Sequence, residues 1–169
     1  SKPKVVKSRV DTSRLPSREI DRIVSEMASR GERIYEVDQD VLEQAGPEVV
    51  LTQQLCEVCA ISLEDVEEAV AHLTPRPRLV SLDPHSLDDM LEAITEVGEH
   101  TNAETRAGTV VTDLNRRIDA VSAQSSTAGS RPRTACIEWL DPLIAAGHWI
   151  PEMVEVAGGD DVLSHPGGP

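Results

Sequence analysis

The chain has 169 residues, enough for one domain or two small lobes with a real core. Its formal net charge of −14 argues against nucleic acid or anionic membranes as partners, because both need clustered Lys and Arg. No run of about 18 apolar residues occurs, so no helix in the sequence is expected to span a membrane.

Aromatic residues are nearly absent: Tyr35, Trp139 and Trp149 stand without a single Phe. The core must therefore be aliphatic. All the lysines fall at the start (Lys2, Lys4 and Lys7), and every later basic residue except the histidines is Arg. Acid excess with scarce Lys fits a halophilic protein, since concentrated salt screens self-repulsion to within a few ångströms. An ordinary acidic protein is the alternative. Three cysteines make an odd count and suggest no disulfide framework.

In chain order, "SREIDRIVSEMASRGE" (17–32) predicts a helix with Ile20, Ile23, Val24 and Met27 on one face. Ser17 reads as its N-cap and Gly31 as its stop. The stretch 37–53 predicts a short helix ended by Gly46-Pro47, followed by a buried strand Glu48–Thr52. Ser62 caps the next helix (62–73), with Asp65 three residues on and Leu63, Val66, Val70 and Leu73 inward. "RLVSL" (78–82) is a second strand, and Ser86 opens a helix carrying Leu87, Leu91, Ile94 and Val97.

Gly98, Thr101 and Asn102 break that pattern before a long helix, Ala103–Ala123, which carries Ala107, Val110, Val111, Leu114, Ile118 and Val121. At about 1.5 Å per residue it spans roughly 30 Å. It reads equally well as a joint between two lobes or as an ordinary crossover. A polar, Ser-rich loop (122–133) leads to a third strand, "TACIEWL" (134–140). The last helix (149–159) has Pro151 in its first turn and Gly158 near its end. Short strands alternating with helices define an α/β fold with parallel βαβ units.

In such sheets ligands sit beyond the carboxyl ends of the strands. Three loops qualify: Gln53–Ala60, Asp83-Pro84-His85 and Asp141–Trp149. Cys56, Cys59, His85, Trp139, Asp141, His148 and Trp149 lie in or beside them. Cys56 and Cys59 form a Cys-x-x-Cys pair that suits a pocket lining, half of a metal site or a redox couple. A thiol oxidoreductase opens its helix with the first Cys, whereas here the cap comes only at Ser62. A structural zinc site needs four ligands, and His85 or His148 are the available complements. Core packing and ligand stacking both fit the two Trp. No Ser/His/Asp spacing, P-loop, GxGxxG or HExxH appears, so the sequence offers no case for an enzyme.

Three segments together, "VLEQAGPEVVLTQQLCEVCA", "VSLDPHSLDDMLEAITEVGEHTN" and "CIEWLDPLIAAGHWIPEMVEVAGG", resemble the substrate-binding proteins of ABC importers for vitamin B12 and ferric siderophores, nearest to the cobalamin-binding branch. The resemblance implies two α/β lobes joined by one long helix, with ligand held between them. Residues 1–102 would then belong to the first lobe, 103–123 to the joining helix and 124–169 to the start of the second. Gln53, Cys56 and Cys59 would face the cleft from the first lobe, and Trp139, Asp141, His148 and Trp149 from the second. A corrinoid or ferric chelate would be cargo rather than cofactor, the partner an ABC permease and the location extracytoplasmic.

Relatives of this kind begin with an earlier strand and a Ser-Leu-x-Pro-Ser-type loop, and they continue past the Ala-Gly-Gly segment. The chain is thus expected to be truncated at both ends and to bind ligand weakly or not at all by itself. Two rival readings are a cytoplasmic corrinoid or metal carrier, which uses the cysteine pair, and a thiol-redox protein.

Overall fold

The computed structural model describes residues 2–54 and 61–165. Contacts divide the chain into two compact units, Ser1–Asp83 and Pro84–Pro169.

The first unit runs β1 (Val6–Ser8), α1 (Ser17–Ser29), β2 (Tyr35–Val37), α2 (Gln39–Ala45), β3 (Val49–Gln53), α3 (Leu63–Ala71) and β4 (Arg78–Leu82). Strands β3 and β4 pair in parallel, from Val49 opposite Arg78 to Gln53 opposite Leu82, with α3 between them in sequence. Aliphatic runs bounded by Gly46-Pro47 and by Pro75 and Pro77 favour this extended pairing. Ser62 caps α3 as its sequence position indicated, its Oγ accepting the Asp65 N–H at 3.1 Å. The helix buries Val66, Ala69 and Val70. Ala69 and Leu73 pack with Leu42 of α2, and Val5 and Val37 close over them.

Asp38 caps α2 by accepting the Val41 N–H at 3.2 Å. The same carboxylate accepts from Lys7 Nζ at 2.5 Å, which ties α2 to the β1 strand. Its carboxyl is held below the usual range, first by the Lys7 hydrogen bond and then by the Val41 N–H. Strands β1 and β2 pair antiparallel, Val6 with Val37 and Ser8 with Tyr35. Sequence reading missed both, since three residues are too few to show a period of two. At α1, Pro16 rather than Ser17 takes the N-cap position, and Ser17 is the first helical residue.

The second unit runs α4 (Leu87–His100), α5 (Glu104–Ser125), β5 (Arg133–Thr134), β6 (Ile137–Leu140), β7 (Leu143–Ala145), α6 (Ile150–Val156) and β8 (Asp160–Asp161). Helices α4 and α5 form a hairpin. Its turn needs Asn102 at φ +54°, in the left-handed region that Asn tolerates. Of the apolar face expected along α5, Ala107 is buried, whereas Val110 and Val121 are 40% and 45% exposed.

The single strand expected at 134–140 is two. β5 pairs in parallel with β8 across α6, while β6 turns back and pairs antiparallel with β7, Leu140 opposite Leu143. The ladder slips between Ile137 and Trp139, and such an irregularity re-aims the strand. Part of the expected loop Asp141–Trp149 is therefore β7. Gly158 at φ +86° ends α6, and Arg131 then clamps the return, donating to Asp160 Oδ1 at 2.7 Å and to the Gly159 carbonyl at 2.6 Å. Parallel pairs bridged by a helix, β3–β4 around α3 and β5–β8 around α6, make this an α/β fold.

Candidate functional site

The residues with distinctive chemistry gather in the second unit where α4 and α6 begin. Pro84 is buried, and exposed His85 follows it into the start of α4. Ser86 caps that helix in a reciprocal capping box with Asp89. Ser86 Oγ accepts the Asp89 N–H at 3.0 Å. Asp89 Oδ2 in return accepts the backbone N–H of His85 at 2.8 Å and of Ser86 at 2.9 Å. These bonds hold the Asp89 carboxyl below the usual carboxylate range, the His85 N–H contributing most.

Helix α6 starts just after Gly147, His148 and Trp149, with fully buried Pro151 in its first turn. His148 adopts φ +53°, in the left-handed region that few residues other than Gly occupy. Its Nδ1 lies 3.4 Å from Nδ1 of His85, 63 residues earlier, with ring centroids 5.4 Å apart and planes tilted by 50°. On its other side the His148 ring packs against the Trp149 indole, centroid to centroid 5.9 Å. The two helix starts are joined by Glu152, whose Oε2 accepts the Leu87 N–H at 2.7 Å.

Trp149 also borders an apolar hollow of about 470 Å³ among α4, α5 and α6, lined by Leu91, Ile94, Leu114, Ile118 and Met153. Trp149 therefore stands beside both the His148 ring and the aliphatic hollow. An indole and two imidazoles beside apolar walls can take a flat, partly apolar ligand and meet it with polar groups at one rim.

Trp139 and Asp141 form a second grouping on the β6–β7 hairpin. The Trp139 indole N–H donates to the Asp141 carbonyl at 3.0 Å, and both residues are half-buried. Gln53 is exposed at the end of β3 in the first unit. Cys56 and Cys59 lie outside the described residues. Among the described residues Cys136 is free and half-buried, and no group of three or more His, Cys, Asp or Glu is placed to hold a metal ion. Two positioning residues escaped sequence reading, Asp89 and Glu152. Both are acidic residues in the first turn of a helix, which is the signal that marks them.

No protein-family model matches the chain, and no curated protein matches it either. Solved structures do. Haem-complexed IsdE of S. aureus aligns at TM-score 0.59 and 18% identity, over 77% of this chain and 48% of that one. An ABC transporter substrate-binding protein of Listeria monocytogenes aligns at TM-score 0.57 and 17% identity, over 89% of this chain and 54% of that one. The siderophore-binding protein BauB, bound to two acinetobactin molecules and ferric iron, aligns at TM-score 0.53 and 11% identity, over 76% and 46%. The chain thus shares the α/β fold of these structures and spans about half of their length.

Proposed function

We propose that the chain belongs to the extracytoplasmic substrate-binding component of an ABC importer, which captures a metal chelate between two lobes and delivers it to a permease without catalysis. The observation that carries this reading is the convergence of His85, His148 and Trp149 at the start of α4 and α6, in a fold shared with haem- and siderophore-binding proteins. Cobalamin is the cargo implied by the sequence resemblance, and haem or a ferric siderophore is the cargo of the structural neighbours. Gln53, Cys56, Cys59, His85, Trp139, Asp141, His148 and Trp149 are the ligand-facing residues in this reading. Helix α5, 22 residues and thus roughly 33 Å long, would be the joint between lobes that the sequence resemblance implies. Among the described residues no helix is long and apolar enough to cross a membrane, which fits a component that meets its permease from outside the bilayer. The net charge of −14 and the scarcity of Lys support a working environment of concentrated salt.

Trp139 and Trp149 are the only tryptophans, so indole emission reports directly on the proposed site. Titration with cyanocobalamin, haemin and a ferric hydroxamate siderophore is expected to quench it saturably for one of the three. Linear, unsaturating quenching by all of them would count against the proposal.

A further inference from the structure

The imidazole pair has a capacity separate from any macrocycle cargo. We propose that His85 and His148 form a two-nitrogen chelate for a borderline divalent transition-metal ion of the zinc or nickel type, with its remaining positions open to water or a small exogenous ligand.

The geometry carries the inference. The two Nδ1 atoms face each other 3.4 Å apart. A metal about 2.1 Å from both would see them at roughly 110°, close to the tetrahedral angle zinc prefers. Imidazole suits zinc, nickel and copper, whereas the oxygen-loving magnesium and calcium ions find no fitting donor in the pair.

The backbone supports this placement. His148 keeps φ +53°, a region few residues other than Gly occupy, and such conformations concentrate where a side chain is held for a task. His85 is fixed from the other side by Asp89, whose Oδ2 takes its backbone N–H at 2.8 Å. Glu152 pins the two helix starts together through the Leu87 N–H. Both imidazoles are thus anchored at their backbones before any ion arrives, which lowers the ordering cost of chelation.

The chemistry also separates this site from the cargo reading. A haem or corrin ring fills the four equatorial positions of its metal and leaves only axial ones on opposite faces. Two nitrogens at a near-tetrahedral angle cannot both ligate such a centre. They suit a bare ion or a chelate that leaves two adjacent positions open.

The test is zinc titration of the ¹⁵N-labelled chain, followed through the imidazole nitrogens by long-range ¹H–¹⁵N NMR. Signals of His85 and His148 are expected to shift together and saturate at one equivalent. His85→Gln and His148→Asn, the latter chosen because Asn tolerates a positive φ, should each abolish the shift of the remaining partner. Each should also weaken zinc binding at this site by roughly tenfold or more. Zinc that leaves both rings unmoved, because it goes to thiols or does not bind, would overturn the proposal. So would movement of one ring alone, or a shift of either ring that survives loss of the other. None of these outcomes depends on whether haem, siderophore or cobalamin binds.

Discussion

Glu152, in the first turn of α6, accepts the N–H of Leu87, the first residue of α4, at 2.7 Å across 65 residues of sequence. A half-buried carboxylate here satisfies one of the orphan donors at the start of α4 and complements the positive end of that helix. It also sets the distance between the loops carrying His85 and His148. Glu152→Ala is expected to lower stability by about 1.5 kcal/mol, in the range for a charge-assisted hydrogen bond. Denaturant melts measure that loss, and a shift in Trp149 emission should accompany it. Unchanged emission would mean that the two loops are held by other contacts.

The capping box at α4 gives a second expectation. Ser86→Ala removes the acceptor for the Asp89 N–H, at a cost of about 1 kcal/mol in a chemical melt.

Asp89 makes the same cap sensitive to acid. Its carboxyl in the folded chain titrates below the ordinary value of 3.8 because the N–H of His85, and then the Ser86 side chain, favour the charged form. The stabilisation is therefore fully present above that ordinary value and fades as pH falls through the lowered one. Helical circular dichroism followed from pH 5 down to pH 2 should show this acid-dependent loss. The slope should be shallower in Asp89→Asn, which cannot titrate.

Gly98 sits where α5 crosses α4, and a Cβ built there would lie 2.4 Å from the Cβ of Ala107. Gly98→Ala is expected to destabilise the chain by about 1–3 kcal/mol through overpacking. The Gly98→Ala, Ala107→Gly double variant should recover part of the loss. Equal damage in single and double variants would place the cost elsewhere.

Salt is the fifth lever. With −14 formal charge on 169 residues, raising KCl from low millimolar to molar should raise Tm by about 5 °C or more as self-repulsion is screened. A flat or falling Tm would mark an ordinary acidic protein.

Helices were the legible part of this fold, because their ends are written locally. Ser62 and Ser86 accept the N–H three residues on, and Gly46, Gly31 and Gly158 take the positive φ that ends a helix. The β3–β4 pair was legible for the same reason: each strand is an aliphatic run that follows closely on Gly or Pro residues. Strands of two or three residues carry no period, so β1, β2, β7 and β8 emerge only when partners from elsewhere in the chain pair with them. The stretch 134–140 reads as one strand because the division of its hydrogen bonds between β7 and β8 is a tertiary choice.

The same limit applies to the site. Sequence placed His85, His148 and Trp149 among the candidates because they lie in loops next to predicted strands. It had no means of bringing rings 63 residues apart to 3.4 Å, nor of finding the Glu152 tether, since neither has a local pattern. The apolar face of α5 was overread: Val110 and Val121 follow helical spacing yet remain substantially exposed. Periodicity reports which residues share a face, and a partner surface decides whether that face is covered.

The most direct measurement is a calorimetric titration of the gene's full product with cyanocobalamin, haemin and a ferric siderophore in molar KCl. One-to-one, saturable binding of one of these chelates is expected, weakened about tenfold or more by Trp149→Ala through loss of the indole face. No binding of any of the three, or binding indifferent to Trp149→Ala, would contradict the proposed function.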